Sequence, residues 1–117
     1  MNIGFLGSGH ITSSIIEGIF KSKLKIKKIF ISPRNKSISK KLSKRFKKVI
    51  VSNNNQQVID RSSWVFLAVT PNVGNKILKR LNFNKSKKVI SLISTININR
   101  LKKITKNRNI LRVIPLP

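Results

Sequence analysis

MNIGFLGSGHIT, residues 1–12, decides how the rest of this chain is read. Met1 to Leu6 is a short apolar run that stops at Gly7-Ser8-Gly9, as a buried strand does where it meets a turn. From His10 onward, Ile11, Ile15, Ile16, Ile19 and Phe20 fall on one stripe of a helix running to about Ser22. Gly7-x-Gly9-x-x-Thr12 therefore stands between a strand and a helix. Gly7 permits a tight turn, and Gly9 lets an anion approach the backbone. The helix beginning at His10 points its free N–H groups and positive dipole end at that anion. The third motif position is Thr12 rather than Gly or Ala, so strand and helix must pack around a larger side chain.

Outward from this motif the pattern alternates. Lys28 to Ser32 reads as a second strand closed by Pro33, and Ile38, Leu42 and Phe46 mark a second helix. Val49-Ile50-Val51 is a third strand, Asn53-Asn54-Asn55 a loop, and Gln56 to Arg61 a helical turn. Trp64 to Val69 is the longest apolar run, which suits a strand in the middle of a parallel sheet covered on both faces. Thr70-Pro71-Asn72 stops it, and Ile77, Leu78 and Leu81 mark the next helix. Lys88 to Ile93 is a fifth strand, Asn99 to Thr105 a short helix, and Ile110 to Ile114 a sixth strand. This order, with right-handed crossovers, predicts one α/β domain over residues 1–117. It is a Rossmann-type, doubly wound, mostly parallel six-stranded sheet with helices on both faces.

In that frame the G-x-G motif reads as a dinucleotide fingerprint, with the pyrophosphate over Gly7, Ser8, Gly9, His10 and Ile11. The end of the second strand selects the cofactor. An NAD site carries an acid there for the ribose 2′-hydroxyl, whereas this chain has Ser32-Pro33-Arg34-Asn35-Lys36 and no acid nearby. Arg34 offers a fork for a 2′-phosphate, and Ser32 and Asn35 offer hydrogen-bond donors. The expected cofactor is NADP(H).

Composition narrows the chemistry further. The 117 residues contain 26 Lys+Arg against two acids, Glu17 and Asp60, giving a net charge of +24. Zero cysteines exclude disulfides, thiolate nucleophiles and Cys-ligated metal, and no metal site is expected. One histidine and two separated acids supply neither a carboxylate dyad nor an attractive triad, so no catalytic side chain is assigned and a cofactor must carry the reaction. The charge suggests a polyanion partner. However, 19 Lys, 19 Ile and 13 Asn share A/T-rich codons, and the lysines are spread along the chain. The Lys36, Lys40, Lys44 and Lys47 row reads as a solvated helix face. All six Phe and the Trp sit in or beside predicted apolar segments and Tyr is absent, unlike the aromatic platforms of a single-strand binder, so nucleic acid is not the expected partner. His10 reads equally as a loop donor near the pyrophosphate and as an exposed helix start.

Several of these pieces together resemble the N-terminal domain of the pyrroline-5-carboxylate reductases. They are MNIGFLGSGH, Ile31-Ser32-Pro33-Arg34, the Asn55 loop, Val65 to Pro71, Val89 to Ile93, and Arg112-Val113-Ile114-Pro115. The resemblance implies NADPH-dependent hydride transfer to a cyclic imine, 1-pyrroline-5-carboxylate, in proline biosynthesis. It also implies that Asn55 lies near the adenosine ribose, and that Ala68, Val69, Thr70 and Pro71 line the path to the nicotinamide. Two features depart from the family: Ile93-Ser94-Thr95 replaces smaller residues, and Leu116 follows Pro115 where the family has Asn. The Ile-Pro-Leu-Pro ending suggests a divergent, reductase-like branch. The family continues into a helical domain for dimerisation and substrate, so the chain by itself is expected to bind cofactor without turnover and without forming a homo-oligomer. Two alternatives are a polyanion binder on the same scaffold and an NADP-dependent reductase of another class. The start of the chain lacks a signal-peptide pattern and no segment is long enough to span a membrane, so the expected location is cytoplasmic.

Overall fold

The computed structural model describes residues 1–113. The Ile114 end of the expected sixth strand and the Pro115-Leu116-Pro117 ending lie outside these. The elements alternate along the chain: β1 (Asn2–Leu6), α1 (His10–Lys21), β2 (Lys28–Ile31), α2 (Lys36–Arg45), β3 (Val49–Val51), α3 (Asn55–Asp60), β4 (Trp64–Leu67), α4 (Pro71–Ile77), a 3-10 turn (Leu78–Arg80), β5 (Lys88–Ser91), α5 (Ile98–Thr105) and β6 (Ile110–Arg112). The strands lie in the order β3-β2-β1-β4-β5-β6. All five pairings are parallel, so the sheet is wholly parallel among the described residues. The order reverses direction beside β1, and such a switch point opens a crevice at the carboxyl ends of the strands.

Alternation along the strands sorts the core onto the two faces of the sheet. Leu6, Phe30, Val65 and Leu67 pack with Val58 and Ile59 of α3 and Leu101 of α5. Ile3, Phe5, Ile29 and Ile31 pack on the opposite face with Ile16 and Ile19 of α1 and Leu42 of α2. Pairing sets Phe5 beside Phe66, and their rings stack with centroids 4.7 Å apart. β4 is central, as its apolar run predicts, but Trp64 and Phe66 are only half-buried. The reason is that α1 and α2 cover chiefly the β1–β3 half of that face.

Strand ends fall short of the apolar runs. β4 stops at Leu67, where the expectation was Val69, because Ala68 makes the closing contact: its N–H donates to the Leu6 carbonyl at 2.9 Å. The chain then turns at Thr70, and Pro71 enters the first position of α4, where its fixed φ and missing N–H are harmless. Thr70-Pro71-Asn72 thus opens a helix as well as closing the strand. Asn54 and Asn97 cap α3 and α5, each accepting a backbone N–H at 2.9 Å, from Gln57 and Arg100. Among the described residues no helix is long and apolar enough to cross a membrane.

Candidate functional site

The loop after β1 is built around a backbone that only glycine adopts without strain. Gly7 has φ +111°, and a β-carbon there would stand 2.3 Å from the Ala68 carbonyl oxygen. The Gly7 N–H donates to Ser32 Oγ at 2.9 Å, which ties the turn to the end of β2. Gly9 differs: it is the N-cap of α1 in an extended conformation, and a β-carbon on it would meet nothing within 4 Å. Open space therefore lies in front of the helix.

The N-terminus of α1 faces that space. It has no side-chain cap and no acid in its first turn, although the first N–H groups of any helix lack intrahelical acceptors. Thr12, at the third motif position, is fully buried, and its hydroxyl donates to the Gly7 carbonyl at 3.2 Å. The larger side chain is thus accommodated by satisfying a carbonyl of the turn itself.

Two clefts meet at Gly9. One, of about 220 Å³, has Gly7, Arg34, Asn35 and Val73 in its walls. The other, of about 400 Å³, runs along His10, Ile11, Pro71, Ile93 and Ser94. Gly9, Ala68, Val69 and Thr70 line both. Neither cleft has an acidic residue in its lining. Of the two acids in the chain, Glu17 pairs with Arg45 on the exposed faces of α1 and α2, and Asp60 accepts from Gln56 Nε2 at 2.9 Å on α3. The site is electropositive because of what lines it and because nothing offsets it.

Ten of the expected binding residues line this pair of clefts: Gly7, Gly9, His10, Ile11, Arg34, Asn35, Ala68, Val69, Thr70 and Pro71. Arg34 is exposed, and its side chain makes no hydrogen bond among the described residues. Its carbonyl instead accepts from the hydroxyls of Ser8 and Ser39, which fixes the loop. Asn35 stands at the start of α2 in the left-handed conformation at φ 58°, a region asparagine tolerates, and its side chain makes no cap bond to the helix. The other three, Ser8, Ser32 and Asn55, are not in the lining. Ser8 and Ser32 are buried with their hydroxyls bonded inside the protein, and Asn55 lines a separate groove between α3 and α4. Sequence reasoning left Val73 and Leu92 out. Val73 follows Pro71 by two positions in α4, and Leu92 continues β5 by donating its N–H to the Leu67 carbonyl at 3.0 Å.

A family model described as NADP oxidoreductase, coenzyme F420-dependent, matches residues 2–97 of this chain. Among curated proteins the chain is similar to pyrroline-5-carboxylate reductase 3 of Danio rerio, at 27% identity over 98% of this chain and 41% of that protein. Among solved structures it is similar to 1-pyrroline-5-carboxylate reductase from Streptococcus pyogenes. There the TM-score is 0.79 and identity 26%, over 98% of this chain and 42% of that one. A Plasmodium falciparum pyrroline carboxylate reductase solved with NADP bound shares the fold, with TM-score 0.75 and identity 22% over 98% of this chain and 42% of that one. The chain thus spans about two fifths of the length of these relatives.

Proposed function

The chain belongs to the NADP oxidoreductase, coenzyme F420-dependent family, and from that premise we propose that it binds NADPH across the two clefts for the reduction of a cyclic imine. The observation that carries this reading is Gly9. It fronts an uncapped helix with open space where a β-carbon would stand, at the meeting point of both clefts. A pyrophosphate needs that combination of room, free N–H donors and positive dipole.

Each part of the site then has a task. The α1 N-terminus and the Gly9 backbone hold the pyrophosphate. Arg34 and Asn35 take the 2′-phosphate at the end of β2, where an NAD-type acid is absent. Ala68, Val69, Thr70 and Pro71 wall the path toward the nicotinamide, with Ile93 and Ser94 opposite. NADPH, when bound, supplies a hydride; the chain supplies orientation and exclusion of water. Asn55, outside the two clefts, is assigned to the adenosine ribose from the likeness to the relatives alone.

The substrate, 1-pyrroline-5-carboxylate, is proposed from the likeness to the relatives named above. Oxidation of NADPH by the protein as its gene encodes it, with 1-pyrroline-5-carboxylate and with a 3-hydroxyacid/3-oxoacid pair as competitor, tests the proposal. Turnover with the imine alone supports it, and turnover with the oxoacid alone contradicts it.

A further inference from the structure

Spread along the sequence, the lysines and arginines are gathered by the fold. Every strand of a parallel sheet starts at the same end, so the connections that lead into strands meet at the amino end. The two clefts lie at the opposite, carboxyl end. The five connections into strands, residues 22–27, 46–48, 61–63, 81–87 and 106–109, carry ten cations. The five that leave strands, residues 7–9, 32–35, 52–54, 68–70 and 92–97, have a comparable combined length and carry one, Arg34. A lysine-rich composition by itself charges both sets alike. Helix dipoles do not account for the difference either. They act within the last turn, and of the ten only Arg61 and Lys106 are cap residues. Neither acid lies on these connections, since Glu17 is inside α1 and Asp60 is the last residue of α3.

Nine of the ten are exposed, and Lys87 is half-buried. Lys48 and Lys87 donate to the carbonyls of Ile26 at 3.0 Å and Ser62 at 2.8 Å, which holds them in place. Lys25, Lys27, Lys47 and Lys85 are exposed, and their ammonium groups pair with nothing among the described residues. Lys28 and Lys88 open β2 and β5 and extend the same surface. With neighbouring strands about 4.8 Å apart, six strands set a row about 24 Å long. One strand of a DNA duplex carries a phosphate about every 3.4 Å, so the row faces about seven of them. We infer that the amino end of the sheet is a binding surface for double-stranded nucleic acid, contacted through its phosphate backbone. The aromatic residues in apolar segments argue against stacking on single strands, but phosphate contacts require no aromatic. Met1 and Leu24 are also exposed here. The cations nevertheless stand on short loops, not on the amphipathic helix with which a protein lies on a membrane. The surface is separate from the clefts, so the inference does not rest on the cofactor reading.

The test is fluorescence anisotropy of a labelled random-sequence DNA duplex, titrated with the chain at several salt concentrations, with thermal melts alongside. One variant combines Lys25→Gln, Lys27→Gln, Lys47→Gln and Lys85→Gln at the amino end. A control removes the same charge from α2 and α4, through Lys36→Gln, Lys40→Gln, Lys41→Gln and Lys76→Gln. Seven phosphate contacts predict a slope of log affinity against log salt of about −6 for the parental chain and the control. The amino-end variant, with four contacts fewer, should show about −3 and bind at least about tenfold more weakly at about 0.1 M salt. If it does not fold, Lys47→Gln with Lys85→Gln decides, and its slope should be shallower than the parental one by about 2. Saturating NADPH should leave duplex binding unchanged. No duplex binding by the parental chain, equal losses in the control, or displacement of the duplex by NADPH would each overturn the inference. So would capture on phosphatidylserine–phosphatidylcholine vesicles that exceeds duplex binding and falls in Leu24→Ser. A chain that binds the duplex but not NADPH overturns the cofactor reading alone.

Discussion

Gly7 and the Ala68 carbonyl oxygen are so closely apposed that a β-carbon on Gly7 would come within 2.3 Å of that oxygen. This contact seals the loop after β1 against the loop after β4, and the two clefts open along the seam they form. The sealing depends on a glycine at 7, and the opening depends on a glycine at 9. The two glycines therefore differ in what they contribute, and substitution separates stability from binding.

Gly7→Ala should destabilise the fold. Its φ of +111° is strained for any side chain, and the Ala68 carbonyl must move to admit a methyl group. A loss of about 1–3 kcal/mol is the scale of such backbone strain. Denaturant titration followed by circular dichroism measures it. Parental stability in this variant would contradict the close apposition.

Arg34→Ala should discriminate between cofactors. Arg34 is exposed on a loop whose backbone is fixed by Ser8 and Ser39, so truncation removes a charge and leaves the loop in place. A charge-assisted bond to the 2′-phosphate predicts a loss of about 1–3 kcal/mol for NADPH and little change for NADH. Equal losses for both in paired titrations would remove Arg34 from the 2′-phosphate.

Much of this was legible in the sequence, and what was not has physical causes. Gly7, Gly9 and the strand–helix alternation are local patterns, and local patterns survive without a structure. Apolar runs overshoot strand ends: Ala68 and Val69 read as strand, yet β4 ends at Leu67 and both residues line the clefts. The half-exposure of Trp64 and Phe66 depends on how far α1 and α2 reach across the sheet, which no alternation encodes. Ser32 is the instructive case. Its position after β2 marks it as a ligand donor, but its partners Gly7 and Asn55 are 25 and 23 residues away. Only the packed fold shows that its hydroxyl is already engaged.

Salt should stabilise the chain. With +24 net charge and Glu17–Arg45 as the one ion pair among the described residues, the fold repels itself. The molecule measures 36 × 29 × 26 Å. At about 0.01 M salt the screening length of about 30 Å is comparable with these dimensions, while at about 0.1 M the length is about 10 Å. The melting temperature should rise across that interval without cofactor. A flat or falling melting temperature would mean that anions are not screening the lysines as described.

The most direct test of the central claim is NADPH titration of the parental chain beside Gly9→Val. A side chain at 9 has room in the fold, since nothing lies within 4 Å of its β-carbon, but it would occupy the place given to the pyrophosphate. The account predicts that the parental chain binds NADPH, more tightly than NADH. It also predicts that Gly9→Val keeps the parental circular dichroism and melting temperature while its affinity falls by about a hundredfold or more, about 3 kcal/mol. NADPH should correspondingly raise the melting temperature of the parental chain and leave that of the variant unchanged. Binding by folded Gly9→Val at parental affinity would contradict the site.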